Sequence, residues 1–148
     1  LIRLTNLADY AVVVMAAAAR EPGAKLSAAQ VADLTLIPAP TVAKLMGTLA
    51  RGGLLMATRG ASGGFTLSRD PAGISVAEIV EAVDGPIALT SCVSGDVQDC
   101  AMEGHCAIRG HWAPINHAVR AALAAVSLAD LVKPAAAATR VPAPALAD

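Results

Sequence analysis

The chain has 148 residues, 55% of them hydrophobic and 16% charged, which suits a single domain with at most an appendage and excludes disorder throughout. Aromatics make up only 2% and the apolar content is mostly alanine, leucine and valine, so a mainly helical protein with thin cores is predicted rather than a sheet-rich one. The net charge of −1 hides an asymmetry. Residues 1–70 carry seven Lys/Arg and four Asp/Glu, whereas residues 71–148 carry four and eight, so the first half is basic enough to suggest a polyanionic partner. The longest charge-free apolar run, residues 10–19, is half of the roughly 20 residues a membrane span needs, and no basic segment followed by an apolar stretch opens the chain. The expectation is a cytoplasmic protein without a membrane partner.

Leu7, Tyr10, Ala11, Val14, Met15 and Ala18 recur at helical spacing and predict a first helix, with Asn6 as its N-cap and Asp9 in its first turn. Glu21-Pro22-Gly23 ends it. Residues 27–34 read as a short second helix, capped by Ser27 and buried through Val31 and Leu34. A tight break over residues 35–40 leads to a third helix from about residue 40 to 51. Pro40 falls in its first turn, where the missing N–H has no partner to lose. Val42, Leu45, Met46 and Leu49 form its apolar stripe, and Thr41, Lys44, Thr48 and Arg51 lie on another face. Residues 54–58 and 65–67 read as two short strands around the glycine-rich tip Arg59-Gly60-Ala61-Ser62-Gly63-Gly64.

Ser75-Val76-Ala77-Glu78 is a capping box that opens a fourth helix with core residues Val76, Ile79, Val80 and Val83. Residues 87 to about 108 lack periodicity and read as a loop. A fifth helix starts between Cys106 and Pro114, with the stripe Trp112, Ile115, Val119, Ala122, Leu123 and Val126, and Ser127-Leu128-Ala129-Asp130 caps a short sixth. Residues 134–148 are Pro/Ala-rich without an amphipathic period and are expected to be a disordered tail.

Helix, short helix, tight turn, helix and glycine-tipped hairpin is the order of a winged helix-turn-helix. The predicted fold is mainly α with a small β hairpin, completed by a long dimerisation helix. The expected divisions are a DNA-binding domain over 1–84, a cysteine-rich loop over 85–111, the dimerisation and terminal helices over 112–133, and the tail. A helix fits the major groove of B-DNA. Thr41, Lys44, Thr48 and Arg51 are therefore candidate contacts on the third helix, and Arg59 and Ser62 on the wing, where a cation meets phosphate or a narrow minor groove. The competing readings are a solvated helix face and a winged helix that binds protein.

Cys92-x7-Cys100-x5-Cys106 places three thiols in one loop. The odd number argues against a disulfide framework. The spacing matches neither the close pairs of structural zinc sites nor ferredoxin runs. Uneven spacing around a loop suits three thiolates converging on an iron–sulfur cluster. A fourth ligand is left open among His105, His111, Asp96, Asp99 and Glu103. No nucleophile–base motif, phosphate loop or paired carboxylates point to an enzyme.

Three stretches together resemble the Rrf2 family of bacterial transcription regulators: residues 3–11 (RLTNLADYA), the hairpin 59–65 (RGASGGF) and residues 74–79 (ISVAEI), followed by the cysteine loop and Trp112. The resemblance covers residues 2–132. Residues 88–92 (ALTSC) and 106–116 (CAIRGHWAPIN) look most like the branch that regulates the SUF iron–sulfur assembly system. It implies a homodimer with crossed fifth helices, a double-stranded DNA operator, and a cluster ligated by Cys92, Cys100 and Cys106 near the partner's first helix. The histidine that serves as fourth ligand in one branch falls on Arg109, which cannot ligate. The aspartate that a nitric-oxide-sensing branch supplies from the other subunit falls on Asp9, so Asp9 is the first choice and His111 the alternative. Ala43 stands where the isc-type regulators carry a DNA-reading glutamate, which implies a different operator. A cluster-free thiol redox sensor and a zinc-stabilised protein-interaction module remain the alternatives.

Overall fold

The computed structural model describes residues 2–94 and 105–133. Among the described residues, seven helices and one hairpin follow in chain order: α1 (Asn6–Ala19), α2 (Ala28–Thr35), α3 (Ala39–Arg51), β1 (Leu55–Thr58), β2 (Gly64–Leu67), a 3-10 turn (Pro71–Gly73), α4 (Val76–Asp84), α5 (Ser91–Ser94), α6 (Arg109–Ala124) and α7 (Leu128–Val132). The mainly helical winged helix-turn-helix is as the sequence predicts.

The N-cap of α1 is Thr5 rather than Asn6. The Thr5 hydroxyl accepts from the Ala8 N–H at 3.0 Å and its proton faces the Asp84 carboxylate, whose oxygens lie at 2.8 and 3.0 Å. That second bond joins the start of α1 to the end of α4 across 79 positions of sequence, and a local reading of caps has no access to it.

α2 keeps its Ser27 cap, reinforced by Gln30 in a reciprocal capping box. Its buried residues are Val31 and Ala32, while Leu34 is 56% exposed, contrary to the expected stripe. At 100° per residue, Leu34 lies about 110° round the helix from the middle of the Val31–Ala32 arc, which points it to solvent. Ile37 is buried in its place, after the chain reverses through Leu36 in the left-handed conformation (φ 60°). This turn aims α3, whose buried residues are Val42, Leu45, Met46 and Leu49 as predicted.

The core lies between α1, α2, α3, α4 and α7, with Met15, Val31, Met46, Leu49, Ile74, Ile79 and Leu128 fully enclosed. Each large side chain taken fully out of water there contributes about 1.5–3 kcal/mol. Val83 is half-buried.

β1 and β2 pair antiparallel with Leu55 opposite Leu67 and Thr58 opposite Gly64. An isolated bridge adds Leu26 to the outer edge of β2, with two reciprocal bonds to Phe65 of 2.9 and 2.8 Å. At the tip, a Cβ on Gly63 would lie 2.6 Å from the Thr58 carbonyl oxygen, so only glycine closes this turn.

The capping boxes at Ser75/Glu78 and Ser127/Asp130 form as predicted. The two serines also face each other in a β-bridge, flanked by bonds from Val76 N–H to the Val126 carbonyl (2.9 Å) and from Leu128 N–H to the Ile74 carbonyl (2.7 Å). The end of α6 is thereby stitched to the segment between wing and α4. Within 87–108, expected to be loop, residues Ser91–Ser94 form the short helix α5. α6 begins at Arg109 and runs through Pro114, whose ring removes the N–H that would bond the Gly110 carbonyl and loosens the first turn. Of the predicted stripe, Val119, Ala122 and Leu123 face a groove of about 500 Å³ shared with the N-terminal arm and α4, Ile115 (47%) is exposed, and Val126, also exposed, lies beyond the end of α6 at Ala124. The predicted tail, 134–148, lies outside the described residues. No helix among the described residues is long and apolar enough to cross a membrane.

Candidate nucleic-acid interface and cysteine loop

The polar face of α3 follows from its buried stripe. Lys44 and Arg51 are exposed, and Thr41 and Thr48 are half-buried. Thr48 donates its hydroxyl proton to the Lys44 carbonyl (3.0 Å) and accepts from Arg51 Nη2 (3.0 Å). Thr48 therefore spends its hydroxyl holding the Arg51 guanidinium along the helix, while the Lys44 ammonium makes no bond among the described residues. On the wing, Arg59 and Ser62 are exposed.

Residues 39–68 contain no Asp or Glu, so the cations of α3 and the wing are not neutralised by their own elements. The reading from sequence missed one further cation beside them, Lys25, whose ammonium donates to the Ser62 carbonyl at 3.0 Å. The available signal was a charge directly before Leu26, whose extended pairing with the wing was not foreseen.

Cys92 sits in α5 and Cys106 just before α6; both are free, half-buried thiols. The Thr90 hydroxyl lies 3.1 Å from Cys92 Sγ. Cys100, Asp96, Asp99 and Glu103 lie outside the described residues. Asp9 is exposed in the first turn of α1, and His105 and His111 are exposed. With Thr5 as the cap, Asp9 is released from the capping role a first-turn carboxylate often fills. Among the described residues no three His, Cys, Asp or Glu side chains are gathered into one group, so Asp9 does not join Cys92 and Cys106 within a single chain.

Asn116 is a residue the sequence did not single out. It is 8% exposed on α6, donates from Nδ2 to the Ile87 carbonyl (2.8 Å) and accepts at Oδ1 from the Leu89 N–H (2.9 Å). This side chain closes the start of the cysteine segment onto α6. One turn on, Arg120 forms paired bonds with Glu81 of α4 (2.7 and 2.8 Å). The Arg120 hydrogen bonds hold the Glu81 carboxyl below the usual range and raise the guanidinium's own pKa.

A recognition helix set by a left-handed turn, beside a wing and an acid-free basic surface, defines a winged-helix DNA-binding protein. Residues 4–134 match the Rrf2 family model, described as an iron-dependent transcriptional regulator, and the chain belongs to that family. It is 34% identical over 131 residues to the HTH-type regulator ORF2 of Azotobacter vinelandii, covering 88% of this chain and 79% of that protein. It is 30% identical over 132 residues to the regulator IscR of Xenorhabdus nematophila, with the same coverage. Among solved structures it resembles CymR, the global cysteine regulator of B. subtilis, with TM-score 0.69 and 25% identity over 89% of this chain and 97% of that one. The protein is an Rrf2-type DNA-binding transcription regulator and not an enzyme.

Proposed function

We propose that this regulator acts as a homodimer that senses iron–sulfur cluster status and controls SUF iron–sulfur assembly genes. Thr41, Lys44, Thr48 and Arg51 address the major groove of the operator, with Arg59 and Ser62 on the adjoining backbone or minor groove. The observation that carries the DNA reading is the exposed, acid-free cationic face of α3 beside the wing. The exposed Ile115 on α6, with Val126 just beyond the end of that helix, supports dimerisation through this face.

Cys92, Cys100 and Cys106 would hold the cluster, with the partner subunit's Asp9 as fourth ligand and His111 as the alternative. The donor set fits: Cys92 and Cys106 are free, half-buried and close to surface, and thiolates suit iron–sulfur chemistry. Asp9 is exposed and uncommitted, as a ligand donated to another subunit needs to be. When bound, the cluster supplies a group whose integrity depends on iron and oxidants. The chain's own residues carry the signal onward. Asn116 ties the cysteine segment to α6, and the end of α6 is bonded to Ile74 and Val76, next to the wing. A shift of α6 thus changes the spacing of the two recognition helices, which must match the half-sites. A coupling of about 1–3 kcal/mol is the ordinary range for such a switch.

The free, half-buried Cys92 and Cys106 favour a second reading in which the thiols are themselves the redox-sensing groups. Anaerobic purification followed by iron, sulfide and zinc analysis and a visible spectrum separates the readings. The cluster reading expects a coloured protein with iron and sulfide, and colour lost in each Cys→Ala variant. Zinc in their place selects the zinc-stabilised module, and metal-free protein selects the thiol sensor.

A further inference from the structure

The wing tip carries a second cation that does not belong to the hairpin. Lys25 precedes the Leu26–Phe65 bridge, so the backbone of residues 25–26 runs along the edge of β2. From there the Lys25 side chain crosses the face of Gly64: a Cβ built on that glycine would fall 2.8 Å from Lys25 Cγ and 3.0 Å from the Leu26 carbonyl oxygen. Gly64 also has φ +153°, a conformation L side chains rarely adopt, so the position is kept clear for the lysine stem on two counts. The stem ends with Nζ on the Ser62 carbonyl, at 3.0 Å. A lysine ordinarily gives up rotamer entropy when it is fixed at an interface; here the exposed side chain is already directed toward the tip by its passage over Gly64 and its bond to Ser62. Only one of its three N–H donors is engaged in the described structure, and the ammonium forms no ion pair among the described residues.

We propose that Lys25 is a DNA-backbone contact of the wing, with its ammonium held at the tip to meet a phosphate. The inference rests on the DNA-binding reading and adds to it a residue from outside both the recognition helix and the hairpin. A pre-positioned point charge with free donors suits a phosphate oxygen and carries no base preference. Its loss therefore weakens binding to any sequence alike.

The test is fluorescence anisotropy with a short labelled duplex of random sequence, titrated between about 50 and 200 mM salt. The parent, Lys25→Gln, Lys25→Arg and Arg59→Ala chains are measured together, each with a thermal melt to confirm the fold. The expected result is that Lys25→Gln makes log K against log salt shallower by about 0.9, the share of one phosphate, while Lys25→Arg keeps the parental slope. A Lys25→Gln chain that binds with the parental slope overturns the proposal; if its affinity has also fallen, the lysine only positions the tip. A parent without salt-dependent binding overturns the DNA reading itself, and loss of slope in Arg59→Ala alone leaves that reading standing while removing Lys25 from it.

Discussion

Asn116 offers the sharpest test of how the cysteine segment is held. Replacing it with alanine removes the acceptor for the Leu89 N–H and the donor to the Ile87 carbonyl, bonds of 2.9 and 2.8 Å. An orphaned buried polar group costs about 1–3 kcal/mol. Ile87 and Leu89 are themselves half-buried, so water recovers part of the loss and the lower half of that range applies to each. The expected destabilisation of Asn116→Ala is then about 2–4 kcal/mol, or roughly 10 °C in melting midpoint for a domain of this size. Asn116→Asp refines the prediction. The introduced carboxylate still accepts from Leu89, which favours its charged form, but burial and the facing Ile87 oxygen oppose that charge and are expected to outweigh it, raising the folded pKa above the unfolded value of about 3.9. A raised folded pKa contributes stability that is present below the unfolded value and lost as pH rises through the folded one. The gap between Asn116→Asp and the parent is therefore smallest near pH 4 and widest at neutral pH. Urea and thermal melts followed by circular dichroism measure both variants, and the rate at which Cys92 reacts with a thiol reagent reports release of its segment. An Asn116→Ala chain within about 0.5 kcal/mol of the parent, the range of ordinary surface changes, refutes the clamp. So does a gap for Asn116→Asp that is constant with pH.

Lys44→Ala is expected to cost about 1–3 kcal/mol on the operator and less on scrambled DNA, whereas Arg59→Ala weakens both alike and lowers the salt slope by about one; equal parental behaviour of both variants in a salt titration speaks against this face as the DNA reader. Asp9→Ala is expected to weaken cluster retention more than His105→Ala or His111→Ala, checked by the decay of visible absorption in air; retention in the Asp9 variant with loss in His111→Ala moves the ligand to His111. Acid is expected to loosen the helix starts. Asp130 is held at about 2 by the Ser127 hydroxyl and then by Lys133, and Glu78 is held low chiefly by the Ser75 backbone N–H, so their contributions are present above their ordinary values of 3.8 and 4.5 and lost as pH falls through the folded ones. Melting midpoints measured from about pH 5 to 2 should fall, and Ser127→Ala should flatten the lower part of that decline; a flat parental profile contradicts it.

The elements of this protein were legible where the signal is local. The α3 stripe at Val42, Leu45, Met46 and Leu49, the capping boxes at Ser75 and Ser127 and the glycine-rich tip are patterns within a few residues of each other, and the local physics of periodicity, caps and turns suffices to read them. The family was legible too, because residues 3–11, 59–65 and 74–79 carry its motifs. What only the tertiary structure decided are bonds between positions far apart in sequence. Thr5 took the cap from Asn6 because Asp84 stands above it. Ile37 took the place of Leu34 in the core because the left-handed Leu36 turned the chain. Lys25 reached the wing because Leu26 pairs with Phe65, and Asn116 reached the cysteine segment from 27 and 29 positions away. Such contacts form only once the core has brought their elements together, and no residue near either partner in the sequence announces them.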